Sequence, residues 1–243
     1  MRRGVRTLGI AIALRAELPT LGRHDVQPGA VTALDDRVLV ILTGMGAGRA
    51  RHSAGQLIKH GASALLSWGS AVALHPELRP GSVIVPTKVI ADDGQTIPID
   101  AAWHDQVCAR LPVDLVVHRD PIMETTALLT DPIEKERLAR RRGAVAADME
   151  SAALGAVARD CGVPFLVVRA IADNSRMSLP PWLPDTLDEL GRPRGASLLA
   201  ALLRHPASVV QLAQLALAFR AATLALRDVR TRAGAHFMLP IES

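Results

Sequence analysis

The feature that most constrains this chain is an alternation of short, nearly continuous apolar runs with stretches of helical character. The runs are Leu8–Leu14, Val38–Thr43, Ala64–Trp68, Val83–Val89, Val113–Val117, Ala144–Ala147 and Phe165–Ile171. Helix-like segments include Gly48–His60, Ala101–Leu111, Asp131–Arg142 and Met149–Cys161. A strand with one wet face alternates apolar and polar residues; these runs hardly do, so both faces of their strands must be covered. The pattern predicts one α/β domain over residues 1–243, with a mostly parallel twisted sheet between helical layers. Asp131-Pro-Ile-Glu134 suits a helix start, with an Asp N-cap, Pro in the first turn and Glu at the capping-box position. The proline-rich segment Met177–Arg194 reads as a loop.

A helical extension over 196–232 follows. Ala196–Arg204 is one helix, and Pro206 forces a break before the next. In the second, Val209, Leu212, Ala216, Phe219, Thr223 and Leu226 recur at three- and four-residue steps, the mark of one apolar face. Two readings of that stripe stay open: packing on the parent domain, or peripheral contact with a membrane.

Composition excludes several classes. Aromatics are 2% of the chain and Tyr is absent, which argues against nucleic-acid modules that stack bases on aromatic rings. The net charge of +4 comes from scattered arginines, and the densest run, Arg140-Arg-Arg142, falls where cations favour a helix C-terminus. Cys108, Cys161 and the eight histidines show no metal or redox spacing, so the expectation is no metal, no cofactor and a reducing cytoplasmic setting. The start, Met1-Arg-Arg-Gly-Val-Arg followed by Leu8–Leu14, mimics a signal peptide. Arg15 and Glu17 interrupt it, so a first buried strand is expected. No apolar run is expected to reach the length of a membrane span.

Acidic residues then point to a site. Asp148 and Glu150 straddle Met149 where an apolar run becomes an Ala-rich helix, and Asp173 closes the run after Val163-Pro164. Singly, Glu17 reads equally as a first-turn helix acid and Asp173 as a cap for Asn174-Ser175. Together, Glu17, Glu150 and Asp173 fall at one edge of the sheet, where open α/β sheets bind ligands. Gly44-Met-Gly-Ala-Gly48 follows a strand, but Arg49 breaks the dinucleotide spacing; it reads as a tight turn bringing backbone close to some ligand.

Five blocks resemble the nucleoside phosphorylase-I superfamily: Leu8–Glu17, Thr43-Gly-Met-Gly46, Trp68-Gly-Ser70, Asp148-Met-Glu150 and Val163–Asp173. They are most similar to its methylthioadenosine/S-adenosylhomocysteine nucleosidase side. The tail from Pro180 resembles a narrower branch, the hopanoid-biosynthesis-associated nucleosidases, thought to remove adenine from adenosylhopane. The resemblance implies cleavage of the bond between a purine and C1′ of a ribosyl unit. It implies Asp173 as the acid for purine N7, Glu150 as the grip on the ribose hydroxyls, and Met149 as an apolar bed for the sugar. Glu17 would activate water, beside Ser70. Where these nucleosidases stack the base on an aromatic, this chain has Ala127-Leu128-Leu129.

Superfamily phosphorylases place an Arg in a Gly-Asp-Pro loop and another three positions before the matching Ser. The first motif is absent and the second position is Ser67. Hydrolysis is therefore expected, with inorganic phosphate a co-substrate only in the alternative that Arg15 and Arg49 keep open. The Met177–Pro184 loop, with Leu179, Pro180, Pro181, Trp182 and Leu183, could form an apolar mouth for a lipid-linked adenosyl substrate. The resemblance also implies a homo-oligomer, commonly a dimer. A different class, a silent nucleotide-binding scaffold, is the rival reading.

Overall fold

Phe165–Asp173 shows how this sequence makes its sheet: nine consecutive residues, all buried, in one strand covered on both faces. A computed structural model of the chain describes residues 6–22, 25–111 and 115–239. The basic start Met1–Val5 and the first part of the run Val113–Val117 lie outside the described residues.

The strands are β1 (Leu8–Ile12), β2 (Val31–Ala33), β3 (Val38–Leu42), β4 (Ala64–Ala73), β5 (Val83–Ile84), β6 (Lys88–Ile90), β7 (Thr96–Pro98), β8 (Val117–His118), β9 (Ile122–Glu124), β10 (Ala146–Asp148) and β11 (Phe165–Asp173). The helices are α1 (Ala47–Lys59), α2 (Ala101–Arg110), α3 (Pro132–Arg142), α4 (Ser151–Cys161), α5 (Gly195–Arg204) and α6 (Ser208–Ala233), with a 3-10 helix over Arg15–Leu21. One path through the mixed sheet runs β2-β3-β1-β4-β10-β9-β6-β7, and β11 branches from β4 toward β5 and β8. β1 pairs in parallel with β3 and β4, and β11 with β4. Antiparallel pairing occurs for β2 on β3, β7 on β6, β10 on β4 and β5 on β11.

Several expected boundaries change. The run Val83–Val89 divides into β5 and β6, with Pro86 in the gap, because proline has no N–H for a ladder. The short strands β2, β7 and β9 carried too few residues to show a period. The helix expected from Met149 begins at Ser151, leaving Glu150 at its N-cap. Asp131 caps α3 as expected, accepting from the Ile133 amide at 2.9 Å. The loop 177–194 contains a single 3-10 turn, Pro184–Thr186.

The stripe expected on α6 divides by depth. The face sunk in the core is Ala218, Ala222, Leu226, Val229 and Ala233, while Val209 is exposed. Small side chains at four-residue steps let the helix lie close on the sheet. The end of the chain is fastened too: Trp103 Nε1 donates to the Phe237 carbonyl at 2.6 Å, and Trp68 packs edge-on to Phe237. Contrary to the sequence expectation, α6 is long and apolar enough to cross a membrane by length and composition. One face of its second half, Ala222, Leu226, Val229 and Ala233, is nevertheless packed in this fold's core.

Candidate active site

The pocket forms where the parallel strands end. Its volume is about 490 Å³, within the range that encloses a small organic ligand. Glu17, Ser70, Leu128, Leu129, Met149, Glu150 and Asp173 all line it. The sequence-expected residues are thus brought together, from segments separated by more than a hundred positions.

Glu17 follows β1 on the 3-10 helix and is 1% exposed. Its Oε1 accepts from the backbone N–H and the hydroxyl of Ser70, both at 2.7 Å. Its Oε2 accepts from the Leu14 amide at 3.3 Å. This approach requires glycine at position 69: a Cβ there would lie 2.7 Å from Oε2, and the φ of +155° is one that side chains disfavour. Burial raises the Glu17 carboxyl above its ordinary value, against the lowering influence of Ser70 and Arg169. The Thr20 hydroxyl steadies the helix, donating to the Glu17 carbonyl and accepting from Trp68 Nε1.

Glu150 sits where β10 gives way to α4. Its Oε1 accepts from the Gly46 amide at 2.8 Å. Gly46 has φ +101°, so the glycine turn does bring backbone close, but to a carboxylate of the site. Burial and then the charge of Asp148 push the Glu150 carboxyl up, while Arg169 pulls it down.

Asp148 has a different task. Its Oδ1 accepts from the Glu150 and Ser151 amides, which caps α4, and its Oδ2 accepts from Arg169 Nε at 2.7 Å and from the Ser151 hydroxyl. Arg169 Nη2 donates to Ser67 Oγ at 2.7 Å and Ser151 Oγ at 3.0 Å. Both charges are buried, and the network satisfies them. It ties the middle of β11 to β4, to the end of β10 and to the start of α4.

Asp173 ends β11 beside an irregularity in its pairing with β4, where Ile171 matches Ala71 but Asp173 matches Val72. Such a bulge re-aims a side chain. Its Oδ2 accepts from Lys135 Nζ at 2.7 Å, and its Oδ1 is buried without a hydrogen-bond partner among the described residues. Lys135 of α3 is 0% exposed and also donates to the carbonyls of Asn174 and Met177. Burial raises the Asp173 carboxyl to about 6, and Lys135 limits the rise. Burial in turn lowers the Lys135 ammonium, which Asp173 partly restores.

Sequence reasoning missed Lys135 and gave Arg169 no role. Arg169 carried a signal, since a cation inside an apolar strand must be paired. Lys135 carried none: between Glu134 and Glu136 it looks like any solvated helix residue. The expected apolar mouth is partly different in membership. Leu179 and Leu183 line the pocket, whereas Trp182 stacks on His205, and Pro180 and Pro181 are not at the lining. The opposite wall comes from α6, where Leu212, Leu215, Ala216 and Phe219 occupy one helical face.

Arg15 and Arg49 do not line the pocket; Arg15 donates to the Val26 carbonyl and Arg49 to the Met45 carbonyl. The one cation among the pocket-lining residues is Arg169, already committed to Asp148, Ser67 and Ser151. The described residues hold no cluster of His, Cys, Asp and Glu suited to a metal ion.

Fold and pocket together define an α/β protein with a carboxylate-rich ligand site at its strand ends. The family model described as the phosphorylase superfamily matches residues 11–204, and the chain belongs to that superfamily. It is 26% identical over 185 residues to the 5'-methylthioadenosine/S-adenosylhomocysteine nucleosidase of Tolumonas auensis, covering 67% of this chain and 80% of that one. To the protein of the same name from Buchnera aphidicola it is 28% identical over 137 residues, covering 49% of this chain; the match spans about half, 54%, of that relative's length. Among solved structures, the S. pneumoniae nucleosidase of the same name, bound to the transition-state inhibitor MT-ImmA, superposes with a TM-score of 0.68. The identity is 19%, over 94% of this chain and 100% of that one. Futalosine hydrolase of Helicobacter pylori gives 0.66 at 18% identity, over 93% and 97%. At these identities the structural likeness is one of fold.

Proposed function

We propose that this protein is a purine nucleosidase that hydrolyses the N-glycosidic bond of an adenosyl compound and releases adenine. The observation that carries the reading is that three carboxylates, Glu17, Glu150 and Asp173, line one pocket at the strand ends. Asp173, whose Oδ1 has no protein hydrogen-bond partner among the described residues, gives its proton to purine N7, so the leaving base departs neutral. Glu150 orients the ribose hydroxyls and favours the positive charge that develops on the sugar. Met149 packs on the sugar and Leu128-Leu129 on the base. Glu17 keeps an acceptor site on Oε2, takes a proton from the attacking water, and the oxygen of that water bonds to C1′ as the bond to the purine breaks. One proton leaves Asp173 and one arrives at Glu17, so no net charge accumulates.

Water is favoured over phosphate because a phosphate dianion needs unspent cationic or N–H donors. Arg169 is spent, and no other cation among the described residues lines the pocket. Adenine release should proceed at the same rate with and without inorganic phosphate; a strict phosphate requirement would overturn hydrolysis.

The finer substrate is a lipid-linked adenosyl compound, adenosylhopane by the resemblance. What supports it is the apolar wall from α6 and Leu179, which suits a bulky apolar 5′ substituent better than a charged one. Purified protein offered adenosylhopane and methylthioadenosine separately should turn over the former with the higher kcat/KM. Adenine from methylthioadenosine alone would sink the lipid assignment. The cytoplasmic setting fits two free thiols, Cys108 and Cys161. The homodimer is carried over from the resemblance, and a solution mass checks it.

Lys135 enters this mechanism as a positioning residue. With purine protonation on the rate-limiting path, activity is lost as pH rises through the Asp173 value near 6. Lys135→Met removes the cation that restrains the rise, so the falling limb of kcat/KM should move to higher pH while kcat drops. An unmoved limb would make Lys135 purely structural.

A further inference from the structure

We propose that the outward face of α5 and the first half of α6 rests on an anionic lipid bilayer, with the pocket opening beside it. These helices turn their residues two ways. Leu198 of α5 and Leu212, Leu215 and Phe219 of α6 line the pocket. The opposite directions present Leu199 and Leu203 on α5, one turn apart, and Val210, Leu217 and Leu224 on α6, at seven-residue steps along one stripe. Leu203 is 77% exposed and Val210 62%. Isolated exposed apolar residues need no explanation, but two helices that both line a ligand pocket and both carry apolar residues turned away from it do.

Charge identifies the occupant. From residue 193 to 227 the chain contains Arg194, Arg204, Arg220 and Arg227 and not one Asp or Glu, while Arg192 is paired with Asp188. Arg204 is next to Leu203, and Arg220 stands within the α6 stripe, between Leu217 and Leu224; both are exposed. Long cationic stems lying along apolar surface with their heads toward anionic groups are what an interfacial helix uses. Each such cation strengthens attachment to anionic lipid, and salt weakens it. A second copy using the same face would instead bring its own Arg204 and Arg220 to the contact, with no acid from this stretch to pair them.

The surface concerns where the enzyme works and deepens the lipid-linked reading above, yet its test needs no substrate. Wild-type protein should co-sediment with vesicles of phosphatidylglycerol in phosphatidylcholine, should bind pure phosphatidylcholine weakly, and should be released by added salt. Leu203→Asp with Val210→Asp should reduce partitioning by about tenfold or more, since two apolar contacts are lost and two anions gained. Neither residue lines the pocket, so turnover of a soluble adenosyl nucleoside should be unchanged, and a normal melting curve confirms the variant is folded. A second variant, Arg204→Glu with Arg220→Glu, should lose the preference for anionic vesicles. Wild-type protein that ignores anionic vesicles would overturn the proposal, and so would variants that bind as well as wild type. If the Leu203/Val210 variant instead converts a dimer to a monomer with no vesicle binding in either form, the face belongs to a second copy. Failure of hydrolysis with intact vesicle binding would count against the nucleosidase reading alone.

Discussion

Asp173→Asn is expected to lower kcat by about 10²–10⁴-fold, the range that general-acid catalysis contributes. Asparagine keeps the size and can still accept the Lys135 hydrogen bond, but it has no proton for the leaving purine. The same change leaves the Lys135 ammonium buried at 0% exposure opposite a neutral group. Stability should therefore fall, by about 3 kcal/mol, the lower end of the cost of breaking a buried pair. Adding Lys135→Met should recover much of that stability and none of the activity. Recovery of both, or turnover near wild type in the single variant, would show that Asp173 serves the fold and not the chemistry. It would also favour the scaffold reading. Denaturant melts and single-turnover rates on one preparation separate these cases.

Glu17→Gln should have an effect of similar size on kcat, about 10²–10⁴-fold, with the opposite sign on stability. The glutamine oxygen can still accept from the Ser70 N–H and hydroxyl, so the loop is held, but the amide cannot take a proton from water. The Glu17 carboxyl is raised by burial, so folding favours its neutral form more than the unfolded chain does. Its folded value lies above its unfolded one; the stability this provides is present at low pH and lost as pH climbs through the folded value. At neutral pH a neutral isostere should thus leave the protein as stable as wild type or more so. Activity itself needs Glu17 ionised and rises with pH through that value, so the rising limb of the pH profile should vanish from any residual turnover. A rate unchanged by the substitution would point to a nucleophile that needs no base.

The two variants also mark what could be read from the sequence. Strands buried on both faces announce themselves through unbroken apolar runs, so β1, β3, β4 and β11 were legible. Carboxylates ending such runs break the pattern visibly, which exposed Glu17 and Asp173. Short edge strands such as β2 and β7 hold three residues each and display no period. Lys135 was hidden for a different reason: its burial depends on α3 lying across the end of β11, and nothing local records that. The α6 stripe failed in a third way. Periodicity shows that a helix has an apolar face, but this helix has apolar residues toward the core, the pocket and solvent. One period cannot assign three destinations.

The double duty of α6 has a consequence for how such an enzyme could change. Its second half is anchored by Ala222, Leu226 and Val229, while its first half supplies a wall of the pocket through Leu212, Leu215 and Phe219. The reacting carboxylates all stand on the sheet side, within residues 11–204 that define the superfamily, and α6 begins at Ser208. Under the proposed function, part of the substrate wall is thus carried on a stretch of chain separate from the carboxylates. On the same reading, mutations in Leu212, Leu215 or Phe219 should change which 5′ group is admitted while leaving the carboxylates and their hydrogen-bond partners in place. A family built this way can explore new substrates by editing one helix, at little risk to the chemistry it already has.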